Sequence, residues 1–224
     1  MPGIGTLNEK PLHAALKEWY AEPGDRFEVP MEGYVIDLVR GDLLIEIQTG
    51  GFSPLKTKLR TLIESHPVRL VHPIALEKWI LKPTGKEGES TRRKSPRRGR
   101  IEDLFMEMVH LPRFLRSAPF TLDVLLVREE ELRYYDDKRG WRRKGWLVEE
   151  RRLLEVVESV QFATRTDWMK LLPAELDTFT TKDLSETMGI KRMLAQRMAY
   201  CYREAGLIEQ VGKDGRSHLY KRAG

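Results

Sequence analysis

The stretch Val35-Ile36-Asp37-Leu38-Val39-Arg40-Gly41-Asp42-Leu43-Leu44-Ile45-Glu46-Ile47-Gln48 sets two aliphatic, β-branched runs on either side of Gly41-Asp42. A Gly-X pair in that setting predicts a two-residue hairpin turn. Residue numbers of cross-strand partners then sum to 83, so Asp37 faces Glu46, Val35 faces Gln48 and Val39 faces Leu44. Ile36 with Ile47, and Leu38 with Ile45, fill the other face. Opposed strand residues hold their Cβ atoms about 4.5–5.5 Å apart, where like charges destabilise the pair. Two carboxylates so placed need a shared proton, basic neighbours or a hard divalent cation. Oxygen donors suit Mg²⁺ or Mn²⁺, and none of the five histidines forms a zinc-type pair at helical spacing. The competing reading puts both acids on a water-facing edge, or slips the register by one residue.

Outward from the hairpin, the N-terminal third reads α-β-β-β-α-β. Leu12, Ala15, Leu16, Trp19 and Tyr20 recur at helical spacing and predict a helix over residues 8–20. A short strand is expected at 26–30. Ser53-Pro54 starts a helix that presents Leu55, Leu59, Leu62 and Ile63. A further strand follows at 68–74. Beyond it, residues 82–100 carry eight basic side chains against two acidic ones, with Gly and Pro and almost nothing apolar. That composition predicts a mobile loop. Ile101, Leu104, Phe105, Met108 and Leu111 mark a helix, 120–127 and 132–135 two strands, and 149–162 is read as a helix over a strand.

The last sixty residues change character. Thr180 caps a helix over 181–188, Gly189 breaks it, a second helix runs over 191–205, and two strands flank residues 212–216 as a hairpin. Helix, turn, helix and hairpin make a winged helix-turn-helix pattern. The expected division is an α/β domain at 1–162, with its basic loop at 82–100, and a small second domain at 163–224.

Composition narrows the function. The chain has 224 residues, 41% of them hydrophobic, so it supports a core and general disorder is excluded. No apolar run approaches the length of a membrane helix, and no secretory signal opens the chain. A single cysteine, Cys201, forms neither an intramolecular disulfide nor a cysteine zinc site. A soluble cytoplasmic protein is expected, with no membrane partner. The net charge of +5 favours an anionic partner such as nucleic acid without proving one, and association with the nucleoid is an alternative within the cytoplasmic expectation.

Asp37-x8-Glu46-Ile47-Gln48, set within an α-β-β-β-α-β order, resembles the PD-(D/E)xK, or restriction-endonuclease-like, nuclease superfamily. The resemblance covers about residues 7–74. It implies a restriction-endonuclease-like core, a mixed sheet flanked by helices, and one or two divalent metals, Mg²⁺ or Mn²⁺, that serve phosphodiester hydrolysis of DNA. Asp37 and Glu46 are then the metal ligands, and Gln48 orients a water. Many members act as dimers, so a homodimer is among the expectations. The sequence departs from the pattern at Ile36, where the superfamily commonly has proline, and at Gln48, where its catalytic lysine stands. Glutamine carries no cation. Lys58, or Lys56, reaching from the following helix is the substitute, set against a solvated helix face as the plainer reading. The superfamily often adds an acid from its first helix. Glu9 lies on the stripe of Leu12 and Leu16 and is the candidate, beside an ordinary first-turn glutamate.

Three basic elements are candidate double-stranded DNA contacts. Arg92, Arg93, Arg97 and Arg98 lie in the 82–100 segment. Arg142 and Arg143 lie between Trp141 and Trp146. Lys191, Arg192 and Gln196 on the second C-terminal helix join Lys213 and Arg216 of the hairpin. The leading expectation is a metal-dependent DNA endonuclease. The alternatives are a non-catalytic DNA-binding regulator on a degenerate nuclease fold, and a winged helix that docks proteins.

Overall fold

The computed structural model describes residues 10–84, 89–138 and 145–223. They build a mixed α/β fold around one principal sheet, in the order β1 (Arg26–Met31), β2 (Tyr34–Arg40), β3 (Leu43–Ile47), β4 (Val68–Pro83), β6 (Phe120–Tyr135) and β7 (Trp146–Phe162), with β5 (Ser90–Lys94) paired to β4. Strands β1 (Arg26–Met31), β2 (Tyr34–Arg40) and β3 (Leu43–Ile47) form an antiparallel meander. The first turn is Glu32-Gly33, both with positive φ. The second is Gly41-Asp42, with Gly41 at φ 58°, as a two-residue Gly-X turn requires. After β3 the chain crosses through helix α2 (Lys56–Leu62) to β4 (Val68–Pro83), which runs parallel to β3. β4 continues parallel to β6 (Phe120–Tyr135), and β6 pairs antiparallel with β7 (Trp146–Phe162). Pro73 is tolerated within β4 because the β3–β4 ladder ends at Ile47 and Val71, two residues before it.

The helices cover both faces of the sheet. From α1 (Pro11–Tyr20), Leu12 and Leu16 pack on Leu38, Ile45, Ile47, Val71, Leu125 and Val127. Leu59 and Leu62 of α2 belong to the larger core with Ile36, Val39, Leu44, Val68 and Leu70. Each fully buried leucine removes apolar surface worth about 1.5–3 kcal/mol.

The sheet differs from the sequence reading in three places. The segment read as a mobile loop contains strand β5 (Ser90–Lys94), antiparallel to the far half of β4. Its charges are held in place: the Arg92 and Lys94 cations lie 5.0 and 5.2 Å from the Trp79 ring centroid. The run at 149–162, read as a helix, is strand β7, paired along its length with β6. Pairing with an existing strand overrides a weak local preference. The two strands expected at 120–127 and 132–135 are the single strand β6. The helix expected from Ile101 is a 3₁₀ turn (Ile101–Leu104) running into the four-residue α3 (Phe105–Met108), and a second 3₁₀ turn follows at Pro112–Arg116.

The C-terminal elements are α4 (Arg165–Met169), β8 (Thr178–Thr180), α5 (Thr181–Met188), α6 (Arg192–Glu204), β9 (Ile208–Asp214) and β10 (Ser217–Arg222), with a second sheet ordered β8-β10-β9. The Thr180 hydroxyl accepts from the Lys182 and Asp183 amides, and Asp183 bonds back to the Thr180 amide, which closes a capping box. Gly189 ends α5 in the left-handed conformation. These elements share one core with the first sheet. The Phe105 ring lies 5.3 Å from Tyr202 and 6.4 Å from Trp168, and Trp168 stacks on Phe162 at 4.4 Å. Arg197 donates to the Met106 carbonyl, and Arg100 to those of Met188 and Gly189. No helix among the described residues is long and apolar enough to cross a membrane.

Candidate active site

The β2–β3 ladder holds the expected register at Leu38–Ile45, Val39–Leu44 and Arg40–Leu43, and then stops. The next inward-facing amide, that of Ile47, donates to the Asp37 carboxylate at 2.8 Å instead of to a strand carbonyl. On the other side of Asp37 the β1–β2 ladder is also interrupted, between Phe27–Leu38 and Val29–Ile36. Glu28, the residue in that gap, has φ +50°, a conformation that costs a non-glycine residue about 1–3 kcal/mol. The backbone is thus distorted on both sides of Asp37. Ile36 shares the core of Val39 and Leu44, not that of Leu38, so the wholly aliphatic face expected from strict alternation is not formed.

Four titratable side chains meet where β2 and β3 part. His13 Nε2 of α1 stands 3.2 Å from Asp37 Oδ1. Lys58 Nζ of α2 lies 2.6 Å from Glu46 Oε1 and donates to the Val35 carbonyl at 2.6 Å. Lys58 is thus the cation against the buried Glu46 Oε1, shared between that carboxylate and the Val35 carbonyl. Lys58 is no solvated helix cation: its side chain is 15% exposed.

The two acids are pushed apart in acidity. Burial alone would raise Asp37, but the hydrogen bond and charge of His13, the Ile47 amide and Lys58 together hold it below the ordinary carboxylate range. Burial raises Glu46, the Asp37 charge raises it further, and Lys58 and His13 offset only part, leaving it at about 7. Carboxyl pairs with split acidity are a recurrent property of catalytic sites and of sites that hold a cation.

Gln48 is one residue past β3. Its backbone amide donates to Val71, its carbonyl meets the ring of the buried His72 at 2.6 Å, and its side-chain nitrogen donates to the Gly51 carbonyl at 2.6 Å. That amide nitrogen braces the loop after β3. Glu9, Arg142 and Arg143 lie outside the described residues. His13 was not among the sequence candidates. Its one available signal is its place on the stripe of the helix that the sequence predicts over residues 8–20, four residues after the candidate at position 9.

The candidate nucleic-acid residues fall into two groups. Arg92 and Arg93 lie on β5, and Arg97 and Arg98 just beyond it. Arg92 pairs with Glu130 at 2.6 Å, Arg98 with Glu77 at 2.7 Å, and Arg97 approaches Asp103 at 3.8 Å. Trp146 is an anchor: Lys82 Nζ lies 3.9 Å from its ring centroid and Tyr135 packs edge-on against it. Lys191 and Arg192 at the start of α6, Gln196 on it, and Lys213 and Arg216 on the β9–β10 hairpin are all exposed.

Among the described residues, no group of three or more His, Cys, Asp or Glu side chains is arranged to hold a metal ion. Asp37 and Glu46 supply hard oxygen donors of the kind such an ion takes, with Lys58 Nζ 2.6 Å from the Glu46 oxygen.

Residues 10–163 match a family described as Domain of unknown function (DUF8091). A protein of Treponema pallidum (strain Nichols) described as "Uncharacterized protein" is 30% identical over 222 residues, spanning 98% of this chain and 87% of the relative. No solved structure matches. The matched span takes in the whole principal sheet and the Asp37–Glu46 site, and the chain belongs to the DUF8091 family.

Proposed function

We propose that the chain is a divalent-metal-dependent deoxyribonuclease with a restriction-endonuclease-like core and a C-terminal winged helix. The observation that carries this reading is the placing of Asp37 and Glu46 at a break in the β2–β3 ladder, both largely buried and pushed apart in acidity, with His13 beside the first and Lys58 beside the second. The strand order supports it: an antiparallel meander followed by a helical crossover to a parallel strand is the arrangement the resemblance implies. The order α4, β8, α5, α6 and hairpin supports the winged helix in the same way.

Asp37 and Glu46 would hold Mg²⁺ or Mn²⁺. When bound, such an ion stabilises charge developing on a phosphodiester and lowers the pKa of a water it binds. His13 keeps Asp37 ionised and fixes its orientation, the part an outer partner plays for a metal-binding carboxylate. Lys58 brings a cation to the place where Gln48 has none, at 2.6 Å from Glu46. Its ammonium would stabilise negative charge on the attacked phosphate. Gln48, its amide nitrogen bound to Gly51, would retain only its side-chain oxygen for orienting a water.

A second reading, a DNA-binding protein without catalysis, draws on the Lys58–Glu46 contact, because an ammonium at 2.6 Å can neutralise the pair without a metal. Supercoiled plasmid incubated with the protein and Mn²⁺ separates the two. Nicking by the wild type and none by Asp37→Ala supports the nuclease. Duplex binding with no nicking above the Asp37→Ala control supports the second reading.

A further inference from the structure

Cations along the β4–β7 ribbon are largely neutralised from within. Arg92 faces Glu130, Lys94, Arg98 and Arg128 converge on Glu77, Arg133 lies against Glu131, and Lys78 stands 3.0 and 2.8 Å from Glu129 and Glu131. A second set differs. Lys56 and Arg60 of α2, Arg113 and Arg116 of the 3₁₀ turn, Arg192 of α6 and Arg216 of the hairpin are exposed, and none has a salt-bridge partner among the described residues.

These six line two hollows that meet at Tyr200. One, of about 790 Å³, lies between α2, the 3₁₀ turn and the end of α6. The other, of about 210 Å³, lies between α6 and the β9–β10 hairpin and takes in Gln196 and His218. The acidic lining residue of the pair is Glu204, already 3.1 Å from Arg203.

We propose that the two hollows form one track for the phosphodiester backbone of a nucleic-acid duplex, running from the hairpin across Tyr200 to α2, and that the β4–β7 ribbon lies outside this contact. The inference rests on the nucleic-acid reading above and specifies where the partner lies. Guanidinium groups without a salt bridge among the described residues, spread over four elements of a concave surface, suit the convex, evenly charged backbone of a duplex. An anionic membrane would ask instead for a bulky apolar face beside the charges. Lys56 and Arg60, four residues apart on an α-helix, and Arg113 and Arg116, three apart on a 3₁₀ turn, are each separated by about 6 Å along the axis, close enough for successive phosphates of one strand. Lys58 leaves α2 on another side and meets Glu46. One short helix therefore links the track to the carboxylates, across a width of about 10 Å.

The test is fluorescence anisotropy with labelled 20-base-pair DNA and RNA duplexes in EDTA, so that no cleavage enters the readout. Three full-length proteins are compared: wild type, Arg60→Ala/Arg113→Ala/Arg116→Ala, and Arg92→Ala/Lys94→Ala/Arg98→Ala, the last removing cations that are paired with Glu130 and Glu77. The track variant should bind about tenfold or more weaker, and the slope of log K against log salt should fall by about 2–3, near 0.9 per lost phosphate contact. The ribbon variant should stay within about twofold of wild type. Lysine at the three track positions should restore most of the binding, which separates lost charge from lost folding. Binding of RNA as well as DNA duplexes supports the track, since the backbone chemistry is shared. Loss of binding in the ribbon variant with the track variant intact overturns the track and leaves the nucleic-acid reading standing. A wild type that binds neither duplex, or binds only phosphatidylserine vesicles, overturns both.

Discussion

Replacing Glu46 by glutamine keeps the shape of the side chain and removes its charge. Glu46 is 6% exposed at the side chain and sits at about 7 against an ordinary 4.5, for reasons of burial first and the Asp37 charge second. The folded chain therefore holds this proton more tightly than the unfolded chain does. The stability Glu46 contributes is fully present below about 4.5 and is lost as pH rises through about 7. At 1.36 kcal/mol per pH unit, the native state has lost about 3 kcal/mol of this stability at pH 8 and about 1 kcal/mol at pH 5, where the unfolded chain alone is ionised. Glu46→Gln, which mimics the protonated acid, should gain those amounts. A chain of this size gains about 2–4 °C per kcal/mol, so its melting temperature in EDTA should exceed that of wild type by roughly 6–12 °C at pH 8 and by a few degrees at pH 5. Thermal melts followed by circular dichroism at both pH values read the difference. Equal gains at the two pH values, or a loss at pH 8, would refute the reasoning, because either means that Glu46 is not held protonated by its surroundings.

Lys58→Met removes the cation nearest Glu46. Nicking should fall about 100-fold or more, as for loss of a donor to transition-state charge, while Mn²⁺ affinity does not weaken. Weakened Mn²⁺ binding with unchanged nicking would contradict the role given to Lys58. Phe105→Ala opens a cavity where α3 meets Trp168 and Tyr202. It should cost about 3–5 kcal/mol in a single urea transition seen alike by the sheet's far-ultraviolet signal and by tryptophan fluorescence. Two separated transitions would show that the C-terminal elements do not share the core of the first sheet.

The hairpin was legible because its turn and its aliphatic runs specify a register without outside help: Gly41 takes the positive φ a Gly-X turn needs, and Leu38 meets Ile45 as counted. The Thr180–Asp183 cap and the Gly189 break were legible for the same reason, each being a local device. The register past Leu38 was not, since nothing local announces that the Asp37 carboxylate replaces a ladder carbonyl for the Ile47 amide. His13 escaped notice because its partner lies 24 residues away. The strands β5 and β7 were misread because their charged side chains are balanced by partners on other strands, as Arg92 is by Glu130 and Arg128 by Glu77 and Glu155. A sequence shows the charges of such a ribbon and not their pairing. Lys58 lay between these extremes: helical spacing allowed it to reach the carboxylates, and its 2.6 Å approach to Glu46 depends on how α2 packs on the sheet.

Calorimetric titration of metal-free protein with Mn²⁺ at pH 6.5 tests the site most directly. Saturable binding is expected of the wild type, and Asp37→Ala and Glu46→Gln should each abolish it. The heat should depend on the ionisation enthalpy of the buffer, because metal binding displaces the proton that Glu46 holds up to about 7. A wild type that gives no binding heat, or an Asp37→Ala protein whose isotherm overlays that of wild type, would contradict the metal site.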